Sequence, residues 1–272
     1  MMGALPVRIR SVGLGALTAT VLLAGLLTVS SRAQAVEATV GLGTVGSYSV
    51  LGGQTVTNTG PSTLAGDLGV SPGTAITGFP PGTATGATHA ADAAAAQAQS
   101  DLVIAFDDAA GRAPTGSVAG DLVGRTLTAG VYKSTSTLAL TGTVTLDAKG
   151  DPNAVFIFQI ATALTTGSAS HVNLINGAQP CNVFWKLDTA TLGTNSTFVG
   201  TILALTSISV QTGTTVEGRA LARNGQVSLD TNTFTTPACN TSATTTAVPT
   251  TTTAVPRTTS ATPVTQKPSF TG

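Results

Sequence analysis

The sequence predicts a mainly β fold, a solenoid of stacked parallel coils with one long α-helix alongside it. Three observations carry the prediction. Residues 192–204 (LGTNSTFVGTILA) align with residues 210–222 (VQTGTTVEGRALA) at an offset of 18. A repeat this short, holding several strands broken by Gly, Asn and Asp, suits one coil of a solenoid; an irregular sandwich with chance repetition is the alternative. Residues 88–110 contain no Gly or Pro and are dense in Ala, which predicts a helix. Residues 154–160 (AVFIFQI) are apolar on both faces of a strand. One face can fill a solenoid interior, and the other needs a cover, for which the helix is the candidate.

Each element has its own justification. In the helix, Leu102, Val103 and Phe106 recur at helical spacing, continued backward by Ala98, Ala95 and Ala91. Asp92, Asp101, Asp107 and Asp108 fall mostly on the opposite side, and Gly111 followed by Pro114 supplies the stop. The run Val183-Phe184-Trp185 resembles 154–160, so the helix is expected against these two strands. The rest reads as short strands punctuated by Gly, Asn, Asp and Pro, with a second echo between the AGDL runs at 65–68 and 119–122.

Composition narrows the function classes. Of 272 residues only 9% are charged and 4% aromatic, whereas 51 are Thr and 31 Gly. Twelve basic residues balance twelve acidic ones, which excludes a nucleic-acid binder that works by neutralising phosphates. Too few Glu, Lys and Arg are present for a coiled coil, and 42% hydrophobic residues argue against disorder throughout. Residues 1–35 read as a signal peptide. Arg8 and Arg10 precede an uncharged stretch at 12–29, and Ala33-Gln34-Ala35 offers a small-x-small cleavage site; an N-terminal membrane anchor is the alternative. Export implies a secreted, extracellular chain with no membrane contact after cleavage. Residues 240–272 hold 13 Thr, 4 Pro and no acid, with TTTAVP repeated at 244 and 251. This composition predicts a disordered stalk or linker. The folded domain is therefore expected at 36–239. Its two cysteines, Cys181 and Cys239, are most simply a disulfide in an oxidising compartment.

The remaining blocks carry a resemblance. LGTVGSYSVL at 42–51, GVSPGT at 69–74, AAGRAP at 109–114 and GVYK at 130–133 are followed by NAVFIFQI at 153–160, NVFW at 182–185 and GRALA at 218–222. Together they resemble the bacterial, fungal and algal ice-binding protein family over residues 40 to 235. The resemblance implies a discontinuous right-handed β-helix of triangular section with one α-helix packed along it. It also implies adsorption to ice through one flat face of irregular small residues. The segment from Phe79 to Thr88 is too short for the large capping head of some relatives, so a monomer is expected.

Chemistry-bearing motifs are few. Gly69-Val70-Ser71-Pro72-Gly73 matches the G-x-S-x-G nucleophile elbow in form, but Pro72 lacks the N–H that an oxyanion hole needs. Neither His89 nor His171 has a nearby cluster of Cys, Asp or Glu at metal-ligand spacing, and Asp147 and Asp151 sit in ordinary turn composition. No catalysis, cofactor or metal is expected. What needs explaining is uncharged Thr and Ser at alternating positions: Thr55/Thr57, Thr126/Thr128, Thr141/Thr143/Thr145, Thr189/Thr191 and Ser207/Ser209. β-Propensity accounts for many of them. Stacked strands would also set their hydroxyls and methyls on a regular grid. On the family pattern the ice-facing residues are expected to be Gln54, Thr55, Thr57, Thr165, Thr166, Leu187, Thr189, Thr191, Ala222 and Asn224. Arg223 would place a charge on that face if it pointed outward. The sequence thus reads as a secreted antifreeze-like domain with an ice crystal as partner. The alternative is an adhesin-like, wall-associated module that uses the same face on a glycan or protein without ice activity. Scarce aromatics count against sugar stacking.

Overall fold

The structure is a computed structural model that describes residues 37–237 and 239. The expected signal peptide and the Thr/Pro-rich segment at 240–272 lie outside the described residues.

Among the described residues every strand pairing is parallel, and the strands form three faces of a triangular β-helix. Face B is a single eight-stranded sheet in the order Ala75–Thr77, Thr55–Thr59, Val227–Asp230, Ile208–Val210, Thr189–Leu192, Ala163–Thr166, Leu138–Leu140 and Gly120–Asp121. Faces A and C belong to a second sheet, because Thr197–Ala204 and Thr215–Ala222 run without a break round the corner between them. Gly218 makes that turn at φ +158°, and a Cβ there would lie 1.9 Å from the carbonyl oxygen of Gly200 in the coil beneath.

The stack is discontinuous in sequence. Coil 48–64 lies directly on the last coil, 219–235, with Val50 opposite Ala220 and Thr63 opposite Thr233. Coil 67–84 lies above it. The helix then carries the chain to the opposite end, where the coils resume at Gly116–Ser117 and stack back up to 219–235. Its 19 residues, Ala93–Gly111, measure about 28 Å, or about six coil spacings.

The helix starts later than its composition suggests. Thr88–Ala90 is an edge strand of face A, paired with Asp67–Val70, and Ala91 at φ +54° ends it. Asp92 then caps the helix by accepting from the N–H of Ala95. Free edge hydrogen bonds on the sheet outweigh the helix propensity of a Thr-His-Ala run. Ala95, Ala98, Leu102, Ala105, Phe106 and Ala109 are buried, whereas Ala91 is exposed and precedes the helix.

The two strands expected under the helix are there. Ile157 and Phe184 point outward from face A into the layer beneath it, together with Tyr48, Leu51, Val131, Leu203 and Leu221. Alternate residues point inward: Phe158 stacks on Trp185 with ring centroids 4.0 Å apart and planes 7° apart, and Trp185 tilts onto Phe198 at 5.2 Å. Two glutamines join helix and sheet. Gln159 donates from Nε2 to the carbonyls of Ala109 and Arg112 at the end of the helix, and Gln99 donates to those of Gly52 and Ala222. These bonds satisfy carbonyls that the helix terminus and the sheet corner leave open. Of the helical acids expected in solvent, Asp101 instead accepts from the N–H and hydroxyl of Thr44, which pins the turn Gly43–Ser47.

Candidate functional site

Face A is covered by the helix, so faces B and C remain as candidate surfaces. On face B, pleating sends every second side chain outward. The central outward row is Thr77, Thr57, Ser228, Ser209, Thr191, Thr165, Ala139 and Asp121, each paired in register with the next. Beside it, Thr55 pairs with Ala75 and Thr189 with Ala163. From Thr77 to Ala139 the row holds only hydroxyl and methyl side chains. Charge enters it at one end, as Asp121, whose carboxylate is held by the Thr141 hydroxyl and the N–H of Val123. Asp230 lies in the next row, across from Thr59, and accepts from the hydroxyl of Thr212. The two serines leave a shallow depression bordered by Thr194, Gln211, Thr212 and Asp230.

Face C also has a threonine row: Thr83, Thr63, Thr233, Thr215 and Thr197 are in register, followed by His171 and Thr143. Exposed Glu217 and Asn173 stand beside that row. Larger and ionisable side chains therefore interrupt the rows of face C, whereas the central row of face B holds only small, uncharged side chains over seven successive coils.

The expected site residues divide by the direction of their side chains. Thr55, Thr57, Thr165, Thr189 and Thr191 stand on the outer side of face B, and exposed Gln54 and Asn224 lie at the corner between faces A and B. Thr166, Leu187 and Ala222 are corrections. Thr166 follows outward Thr165 in the same strand and so points inward, where its hydroxyl accepts from the N–H of Gly193. Leu187 and Ala222 are completely buried among the core side chains. A strand alternates, and these three fall on its inner phase. Thr77, Ser209, Ser228 and Ala139 complete the row. Of these, Ser209 was signalled by the 18-residue offset that lays it on Thr191.

Arg223 does not point onto face B. Its guanidinium lies 4.8 Å from the centre of the Phe106 ring, on the helix side, and reaches Asp107 at 3.3 Å. Its Nε is buried and has no hydrogen-bond partner among the described residues. Lys186 approaches the same ring at 4.9 Å, and burial lowers its pKa.

The other motifs are occupied by structural work. Asp147 is buried and bonded to the Lys149 ammonium at 2.6 Å, the Asn176 amide at 2.8 Å and the Lys149 N–H at 2.9 Å. The Lys149 ammonium first, then the Asn176 amide and the Lys149 N–H, bring its carboxyl down to about 2. The folded state therefore favours the carboxylate. The stability this gives is complete above the ordinary aspartate value, about 3.9, and is lost as pH falls through about 2. Thermal unfolding temperature should accordingly be level from neutral pH to about pH 5 and decline from about pH 4 to pH 2, and Asp147→Asn should make that decline shallower. His89 bonds Asp92 at 2.7 Å, next to the helix cap, and His171 is exposed on face C. Among the described residues no group of three or more His, Cys, Asp or Glu could hold a metal ion. Cys181 and Cys239 form a disulfide with a Cα–Cα distance of 5.6 Å.

Comparison with known proteins gives a consistent picture. Residues 50–235, more than half of the chain, match the model of the family described as ice-binding-like. The chain is 50% identical to the ice-binding protein of Nostoc sp. (strain HG1) over 210 residues, covering 76% of this chain and 77% of that one. Among solved structures, an ice-binding protein from an Antarctic biological consortium is 47% identical with a TM-score of 0.74, covering 75% of this chain and 94% of that one. The ice-binding protein of the Antarctic ascomycete Antarctomyces psychrotrophicus is 42% identical with a TM-score of 0.70, covering 72% and 97%.

Proposed function

The chain belongs to the ice-binding-like family, and from that premise we propose that it is a secreted protein that adsorbs to ice through face B and inhibits ice growth or recrystallisation. The observation that carries the choice of face is the in-register row from Thr77 to Ala139, uncharged across seven coils of an uninterrupted sheet. Each hydroxyl can donate and accept one bond within an ordered water layer. The neighbouring methyls limit that layer's alternatives, and a side chain without charge holds no competing hydration shell. Strands spaced about 4.8 Å apart repeat these groups at a fixed interval, so many weak contacts form together. Binding of this kind needs no turnover, and no residue group described above is arranged for catalysis.

The use of the face on a glycan or protein without ice activity has no support among relatives such as those of Nostoc, Shewanella frigidimarina and Colwellia, which are named for ice binding. Thermal hysteresis and recrystallisation inhibition of the disulfide-intact chain test the proposal. Faceted crystals and a freezing-point gap that grows with protein concentration are expected. A folded chain with neither effect would overturn it.

A further inference from the structure

Face B is assembled from two stretches of chain that are far apart in sequence. Thr77 and Thr57 stand on coils 67–84 and 48–64, whereas Ser228, Ser209, Thr191, Thr165 and Ala139 stand on the coils that follow the helix. The two stretches meet at a seam between Thr57 and Ser228. On face A the seam is short. Tyr48–Gly52 and Thr215–Ala222 share two register pairs there, against eight in the ladder beneath and four in the ladder above.

The backbone leaves this seam open at the corner between faces A and B. At four corners of the stack, the residue that leaves face A donates its N–H to the carbonyl that ends the face A strand in the coil beneath: Ala161 to Ser134, Leu205 to Leu187, Arg223 to Ala204 and Ser71 to Gly52. At the seam the corresponding donor is Gly53 and the corresponding acceptor is Ala222. The N–H of Gly53 goes to Gly225 instead, together with that of Gln54. Asp188 makes the same detour to Thr162, but its two coils belong to one continuous stretch.

The helix supplies the missing bond. Gln99 donates from Nε2 to the Ala222 carbonyl at 3.1 Å and to the Gly52 carbonyl at 3.0 Å, so the two hydrogens of one amide span the seam. A side-chain bond crosses the seam at each of the other corners as well. Between faces B and C the Asn232 N–H donates to the Ser62 hydroxyl at 2.9 Å, and between faces C and A the Nε of Arg219 donates to the Gly46 carbonyl at 2.9 Å. Gln99 borders face B and comes from outside the coils, so it can be changed without altering any coil residue.

We propose that Gln99 is a positioning residue for ice adsorption, whose amide holds the two stretches in one plane so that Thr57 and Thr77 continue the row from Ser228 to Ala139. This rests on the ice-binding reading above. A flat crystal plane meets only those coils that lie level with one another, and a tilt at the seam would withdraw two of the seven uncharged row positions.

The test compares thermal hysteresis of disulfide-intact variants at equal concentration, with circular dichroism and thermal unfolding to follow the fold. Gln99→Met keeps the length and helix propensity of the side chain without its donors, and Gln99→Glu keeps its shape but, ionised, only accepts. Either is expected to lower thermal hysteresis about twofold or more. Gln159→Met removes the comparable bonds to the carbonyls of Ala109 and Arg112, which lie away from the seam. It should lower the unfolding temperature at least as much and leave thermal hysteresis unchanged. Thr57→Tyr should remove much of the parent's activity but little of what Gln99→Met retains, while Thr191→Tyr should act in both backgrounds. Unchanged thermal hysteresis in the folded Gln99 variants would overturn the assignment. So would an equal loss in Gln159→Met, or an equal cost of Thr57→Tyr with and without Gln99, since either would mean that the bond serves the fold alone. A parent chain without thermal hysteresis would instead remove the ice reading itself, and this inference with it.

Discussion

Thr191→Tyr is expected to remove most of the ice activity, whereas Thr215→Tyr leaves it nearly unchanged. Thr191 sits in the middle of the face B row, with Ser209 on one side and Thr165 on the other. A tyrosine ring there would stand well above neighbours that are all small, and adjacent coils could not touch a flat crystal plane together. Every loss of about 1.4 kcal/mol of contact is a tenfold loss of affinity, and the ring lifts several coils at once. Thr215 occupies the equivalent place in the face C row, between Thr197 and Thr233, so the same substitution there controls for the change in chemistry. Both positions are on outer surfaces, and circular dichroism and thermal unfolding should match the parent. Thermal hysteresis at equal concentration decides the matter. The reverse pattern, with activity lost only in Thr215→Tyr, would move the ice face to face C.

Trp185→Ala is expected to have the largest effect on stability. Trp185 is the chain's single tryptophan, is fully buried, and lies between Phe158 and Phe198 inside the solenoid. Its Nε1 donates to the carbonyl of Val199 at 3.0 Å. Removing the indole opens a cavity and leaves that carbonyl unpaired, at a combined cost of about 3–5 kcal/mol or more. For a domain of this size the unfolding temperature should fall by about 10 °C or more. Trp185→Phe keeps the stack and loses the hydrogen bond, so it should fall between the parent and the alanine variant. Thermal unfolding followed by circular dichroism measures all three.

Face B needs its strands held flat and in register, which the interior achieves through residues such as Trp185 that never meet ice. A variant can therefore lose the chemistry of the face and keep its fold, as Thr191→Tyr should.

Much of this was legible in the residues. The 18-residue offset gives the spacing of coils 183–199, 201–217 and 219–235, and Thr197–Ala204 does pair along its whole length with Thr215–Ala222 at that offset. The doubly apolar strand at 154–160 requires a cover, and Ile157 is buried beneath the helix while Phe156 and Phe158 fill the interior. Alternation placed Thr55, Thr57, Thr189 and Thr191 on one surface. The family pattern added Thr166, Leu187 and Ala222, which point inward: Thr166 neighbours outward Thr165 in one strand, and Leu187 and Ala222 end strands of the preceding face, before the corner that leads onto face B. The start of the helix is likewise not set by local sequence. Whether Thr88–Ala90 is helix or strand depends on an open edge at Asp67–Val70, twenty residues earlier.

By itself, then, the sequence determined the kinds of element, the repeat, the apolar interior, and the small uncharged surface, since each of these follows from local composition and spacing. Only the tertiary structure decided that coil 48–64 closes the end of coil 219–235, that Arg223 turns to Phe106 and away from face B, and that Ser228 and Thr77 complete a row with Thr57 and Thr191. Those outcomes join residues far apart in the chain. The free energy that settles them is that of strand edges and apolar faces finding their partners, which no local stretch of sequence contains.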